Sequence, residues 1–167
     1  MPIILKILCP LVLLPFWTSF YPKDIPEKDA CVRKDSISSF SKLQLGKNYN
    51  YANCSPNTGF DCSGFVYYVF KHFNIEVPRS SSQYRDFGKT ISLDSCQTGD
   101  IIVFTGTDAG KRTPGHVGII LSEPGNEVTF IHSSSDKRLP GVKISNFKDS
   151  PNYKKRFIKI VRVCKAY

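Results

Sequence analysis

The sequence has no Cys-x-x-Cys pair among its six cysteines, which excludes a zinc ribbon and a thioredoxin-type redox motif. It holds only three histidines, His72, His116 and His132, so any chemistry that needs an imidazole has few to draw on. No repeat with a period of roughly 20–50 residues is present, which excludes a solenoid or a propeller. No apolar run reaches the roughly 20 residues of a comfortable membrane span. Lys and Arg outnumber Asp and Glu by 23 to 14, for a net charge of +9. Yet the basic residues are scattered, and the basic stripe with interleaved aromatics that a nucleic-acid groove requires is missing. The one tight run, Lys154-Lys155-Arg156, reads as a solvated loop edge. No nucleic-acid partner is expected, and a basic surface suits an anionic wall polymer or an acidic membrane surface as well.

What remains is an ordinary globular composition, 41% hydrophobic and 22% charged, in a chain long enough for one domain with a real core. The first stretch differs. Residues 3–17, IILKILCPLVLLPFW, carry one charge and two prolines that interrupt a helix. They read as the apolar centre of a secretory signal over residues 1–22, which implies export to a periplasm, cell envelope or extracellular space. Residues 21–30 read as a linker, because two prolines and alternating charge sit there. Beyond Cys9 in the leader, five cysteines remain: Cys31, Cys54, Cys62, Cys96 and Cys164. An odd count in an exported chain suggests one thiol kept free. If that thiol is Cys62, the other four either form two disulfides or sit as buried apolar residues, and the spacing does not choose.

Hydrophobic spacing predicts a helix over residues 31–45, with Val32, Ile37, Phe40 and Leu43 along one side. Residues 46–61 are rich in Gly, Asn, Ser and Pro and read as a long loop, of the kind that often carries function. Asp61 then caps a helix whose inward face is Val66, Val69, Phe70 and Phe73, with Cys62 in its first turn. A short helix is expected near residues 80–87. From residue 98 the pattern changes to strands over 100–105, 116–122, 127–132, 142–144 and 157–163, separated by Gly- and Pro-containing turns. Helices first and strands second imply an α+β fold with an antiparallel sheet.

Cys62 is the candidate nucleophile. A thiol has a pKa of about 8.5, and a helix N-terminus lowers it toward a reactive thiolate. His72 lies ten residues further along the same helix, about 15 Å at 1.5 Å per residue, so it cannot be the base. His116 begins one strand and His132 ends the next. If residues 123–126 turn the two into a hairpin, both imidazoles lie near the same end. A nucleophile, a base and a polar group that orients the base make up an activated-nucleophile site.

Four segments, in order, resemble one family. GFDCSGFVYYVFKHFNIEVPRSSSQ is similar to the nucleophile helix of the NlpC/P60 cell-wall cysteine peptidases. QTGDIIVFTG, PGHVGIIL and TFIHSSS resemble the three strands that follow in those enzymes. The resemblance runs from about residue 45 to residue 163, which divides the chain into a leader (1–22), a linker with a leading helix (23–44) and a catalytic domain (45–167). It implies a papain-like fold, with the nucleophile helix packed on a five- to six-stranded antiparallel sheet. It also implies Cys62 as nucleophile, His116 as general base and acid, and His132 as the residue orienting His116. The implied reaction is hydrolysis of peptidoglycan stem peptides at the bond between γ-linked D-glutamate and diaminopimelate or lysine. No metal or cofactor is implied, and a monomer is expected.

Four further positions carry over as substrate-binding candidates. Tyr49 matches a tyrosine in the loop beside the cysteine. Asp61 and Ser63 flank the nucleophile and, in relatives that recognise a free N-terminal alanine, contact its amine. Arg79 is placed to meet a substrate carboxylate. The sequence departs from the family where two glycines after the tyrosine are replaced by Ala52-Asn53, and where the loop to the cysteine is one residue longer. Two rival readings stand beside this one. One is an amidase or other amide hydrolase on the same fold, and the other is a non-catalytic domain that binds wall peptides.

Overall fold

A computed structural model describes residues 27–163, with side chains from residue 34 onward. The expected leader at 1–22, Cys9, Cys164 and the side chain of Cys31 lie outside the described residues. Helix α1 spans Glu27–Lys42. It starts inside the segment read as a linker, where good helix formers follow Pro26. It also ends earlier than the spacing predicts, and Leu43, expected on the buried side, is 73% exposed. Ile37 is buried, and Phe40 stacks on His72 with ring centres 3.8 Å apart. His72 is thereby spent on joining α1 to the next helix.

Helix α2 spans Cys62–His72, as its cap and periodicity predict. The Asp61 carboxylate accepts the Gly64 N–H at 2.6 Å, filling one of the donors a helix start leaves unpaired. Phe65, Val66, Val69 and Phe70 are fully buried beneath it. A short 3-10 helix follows at Ser81–Arg85, near the expected position.

The sheet has six strands: β3 (Lys89–Ile91), β4 (Ile101–Thr105), β5 (Pro114–Ile120), β6 (Thr129–Ser134), β7 (Gly141–Asn146) and β8 (Phe157–Arg162). Their spatial order is β3-β8-β4-β5-β6-β7, with every neighbouring pair antiparallel. Strands β5 and β6 form the expected hairpin. Edge strand β3 escapes sequence reading because it is three residues long and begins Lys-Thr. Helix α3 (Pro151–Arg156) contains the basic run read as a loop edge.

Both faces of the sheet are covered. Ile101, Val103, Val117, Ile119, Ile131 and Val161 pack under α2. Ile102, Phe104, Ile120, Phe130 and Ile160 form a second cluster, closed by Phe147, Tyr153 and Phe157. A sheet with one wet face would alternate apolar and polar residues, whereas Ile101–Phe104 are apolar throughout because each neighbour meets a core. Each fully buried side chain of this size contributes roughly 1.5–3 kcal/mol.

The long loop is ordered by the elements around it. It contains a minimal hairpin, β1 (Cys54–Ser55) with β2 (Gly59–Phe60). Phe60 donates its N–H to the Asn48 carbonyl at 3.0 Å, and the Ser133 hydroxyl donates to the Phe60 carbonyl at 2.7 Å. The Asp61 N–H donates to the Asn53 carbonyl at 2.9 Å. That carbonyl presses on the first turn of α2, where a Cβ on Gly64 would overlap it. Gly64→Ala must therefore push the loop off the helix start. It is expected to lower stability by about 1–3 kcal/mol, the usual range for overpacking, read as the shift in a urea midpoint.

Candidate active site

Three elements bring the reactive side chains together. Cys62 is the first residue of α2, its sulfur 3.9 Å from the Gly115 carbonyl oxygen at the start of β5. His116 follows Gly115. Its Nε2 lies 3.0 Å from Nδ1 of His132 on β6, and the two rings meet edge to face. His132 is wholly buried and His116 nearly so. The sequence-predicted pairing of the two histidines is present, and His72 lies with Phe40 away from them.

Three residues that sequence reading missed complete the cluster. Ser145 on β7 places its Oγ 2.9 Å from Nε2 of His132. Tyr153 on α3 stacks on the His116 ring, centres 5.8 Å apart, and stands edge-on to His132. Arg156 lies over the Tyr153 ring, 5.7 Å from its centre, and donates to the Thr105 carbonyl at 2.8 Å. Lys154 and Lys155 are exposed, as a solvated edge requires, but Arg156 turns inward. The only available signal was the pair of aromatics Tyr153 and Phe157 around that basic run.

Burial governs the electrostatics. It pushes the His116 pKa down to about 3, helped by the positive charges of Arg156 and Lys143. His132 is held well below its ordinary range by burial, by His116 and by the same two cations. The Cys62 thiol is raised, first by burial and then by the Asp61 charge. Backbone N–H groups of Val117 on β5, and then of Ser63 and Cys62 at the helix start, offset this only in part. The helix start was expected to favour a thiolate, but in the free protein burial outweighs it. At neutral pH Cys62 is thus a thiol and His116 a neutral imidazole.

The substrate-binding candidates also converge, though differently from expectation. Tyr49 bridges to Phe60, and the charges of Cys62 and Asp61 help raise its pKa after burial. Arg79 does form a bidentate contact, but with Asp61: Nη2 to Oδ2 is 2.8 Å and Nη1 to Oδ1 is 3.0 Å. The Ser63 hydroxyl donates to Asp61 Oδ1 at 3.2 Å. Asp61, expected to be open to a substrate amine, is therefore already held by its own chain. Ala52 takes a positive φ of 57°, so it adopts the conformation for which the family uses glycine, at some cost in strain. Cys54 and Cys96 are free thiols like Cys62, which removes the alternative of two disulfides among the four remaining cysteines. Among the described residues, no three His, Cys, Asp or Glu side chains gather as a metal site.

The fold recurs in known proteins. The NlpC/P60 family profile matches residues 46–162. Over 110 residues the chain is 37% identical to the Escherichia coli protein named Murein DD-endopeptidase MepS/Murein LD-carboxypeptidase, covering 65% of this chain and 52% of that one. It is 35% identical over 115 residues to the Bacillus cereus Gamma-D-glutamyl-L-lysine dipeptidyl-peptidase, covering 69% of this chain and 32% of that one. The chain thus spans about half the length of the first relative and about a third of the second. A crystal structure of an NlpC/P60 family protein from Bacillus cereus superposes with a TM-score of 0.68 at 30% identity, over 79% of this chain and 40% of that one.

Two measurements check the electrostatics. The rate of Cys62 alkylation by iodoacetamide is expected to climb with pH up to and beyond 9, because the thiol is raised. A rate already flat from about pH 5 would instead reveal a preformed ion pair. The depressed histidines also set a pH dependence of stability. Folded His116 stays neutral down to about pH 3 and folded His132 well below its ordinary range, while unfolded histidines take up protons as the pH falls through about 6.5. The unfolded state then binds more protons, so stability is full above about pH 6.5 and falls as the pH drops below it. The urea midpoint is expected to be lower at pH 5 than at pH 7.

Proposed function

The chain belongs to the NlpC/P60 family, and on that premise we propose that it is an exported cysteine endopeptidase hydrolysing amide bonds in peptidoglycan stem peptides. The observation that carries the reading is the set Cys62, His116 and His132. A nucleophile at a helix start abuts the strand of a base whose far nitrogen is already hydrogen-bonded. The leader reading of residues 1–22 supports export, and the protein is taken to act as a monomer.

In the proposed mechanism the Cys62 sulfur attacks the amide carbonyl while His116 takes the thiol proton. Neither group is charged beforehand, so charge separates only as the carbonyl oxygen becomes an oxyanion. The backbone N–H of Cys62, in the first turn of α2, is the proposed donor to that oxyanion. The His116 imidazolium then protonates the leaving amine, and the C–N bond breaks to leave a thioester. His116 next removes a proton from water, which adds to the thioester and releases the acid and the thiol. Tyr153 against the ring and His132 at its far nitrogen keep His116 from turning between these steps.

The proposed scissile bond joins γ-linked D-glutamate to diaminopimelate or lysine, the kind of bond named in the Bacillus cereus relative. A second reading, a D,D-bond, is favoured by the name of the Escherichia coli relative. Asp61 bears on how the substrate is held. Its carboxylate is neutralised by Arg79, so the ammonium of a free N-terminal alanine finds no bare anion there. This favours a bond inside a longer peptide over release of a dipeptide from a free amine end. Tyr49 is the proposed wall of the pocket beside Cys62.

The test incubates purified protein with defined muropeptides, N-acetylated and free at the alanine, beside Cys62→Ala, and identifies products by mass spectrometry. Cleavage after γ-D-glutamate, lost in the variant and insensitive to N-acetylation, is expected. Cleavage of the D,D-bond would transfer the reading to the second bond. Release of the whole stem peptide from the sugar would mean an amidase. Binding without cleavage would sink the enzymatic reading.

A further inference from the structure

The hydrogen-bonded chain at the site does not end at His132. On β7, Lys143 stands opposite His132 and Ser145 opposite Phe130. Ser145 is thus the diagonal neighbour of His132 on the same face of the sheet, within side-chain reach. Its Oγ lies 2.9 Å from Nε2 of His132, whose Nδ1 lies 3.0 Å from Nε2 of His116. Both nitrogens of His132 are therefore engaged, on a ring with no exposed surface.

A neutral imidazole carries one proton, so along such a chain the hydrogens must all point one way. If His132 holds its proton on Nδ1, it donates to Nε2 of His116, which must then keep its own proton on Nδ1. That is the nitrogen needed to take the proton of Cys62, and His116 could not act as a base. If His132 holds its proton on Nε2, that N–H donates to Ser145, and Nδ1 is bare to accept from His116. His116 then carries its proton on Nε2 and presents a bare Nδ1. Only the second order leaves a base, and it needs an acceptor beyond His132.

We infer that Ser145 is that acceptor, a positioning residue that holds His132 in its Nε2–H tautomer and so keeps His116 competent as a base. The groups acting on the two rings are Lys143 on β7 and Arg156 on α3, with Tyr153 on α3 packed against both. Among these, Lys143 and Arg156 are cations that oppose a second proton on either ring, leaving the tautomer rather than the charge as the variable. The inference rests on the reading of Cys62 and His116 as a reacting pair.

The test compares Ser145→Thr with Ser145→Val in the whole protein. The two side chains have the same shape and both suit a strand, so they differ only in the hydroxyl. Ring 15N NMR of His132 needs no substrate. Wild type and Ser145→Thr are expected to show protonated Nε2 and bare Nδ1, and Ser145→Val a mixture of tautomers. In muropeptide hydrolysis, Ser145→Val is expected to lose kcat by roughly ten- to a hundredfold with KM little changed, a fraction of what an acid–base group supplies. Ser145→Thr should retain it. A single Nε2–H tautomer in Ser145→Val overturns the inference, as does equal loss of kcat in both variants. If no peptide is cleaved by any form, the functional proposal fails while the 15N spectra still decide the role of Ser145.

Discussion

The Asp61 carboxylate accepts hydrogen bonds from three places in the chain. These are the Gly64 N–H inside α2, the Ser63 hydroxyl, and both terminal nitrogens of Arg79 from the segment beyond the helix. Its own N–H is given to Asn53 in the long loop. A carboxylate this buried would cost several kcal/mol if left unpaired, so loop, helix start and the segment around Arg79 must come together or not form at all. Cys62 lies between the two residues so fixed. Its place is set by the bonds of its neighbours rather than by its own long contact with the Gly115 carbonyl.

The second constraint is dryness. His116 and His132 share a sheet face with Phe104 and Phe130, and Tyr153 closes over them. A low-dielectric pocket with two cations nearby keeps both imidazoles neutral, and the same burial keeps the thiol protonated. On the proposed mechanism, proton transfer from Cys62 to His116 waits until a carbonyl carbon is there to receive the sulfur. In that proposal, neutrality at rest ties the movement of charge to the presence of substrate.

Much of the architecture was legible because local and global preferences agree. Asp61 before Cys62, then apolar residues at helical spacing, predicts α2 to within a residue or two of where it ends. Five strands of the sheet stand where alternating or continuous apolar runs lie between turn residues. The failures have identifiable causes. Leu43 continues an apolar pattern past the point where α1 stops, and it is exposed. Strand β3 exists because β8 offers it a free edge, not because Lys-Thr-Ile prefers extension. Arg156 looks like its exposed neighbours Lys154 and Lys155, and only the position of Tyr153 turns it inward.

The sequence by itself determined the helix carrying Cys62, the hairpin that sets His116 beside His132, and the chemistry those residue types permit. These follow from short-range rules, since caps, periodicity and turns act over a few residues. Three matters were decided only by tertiary structure: that Arg79 forms a bidentate pair with Asp61, that burial outweighs the helix start at Cys62, and that a serine on β7 stands behind His132. Each depends on which distant segment supplies the neighbour and how far water is excluded. Pairing and desolvation are properties of the assembled fold, and no stretch of the chain carries them alone.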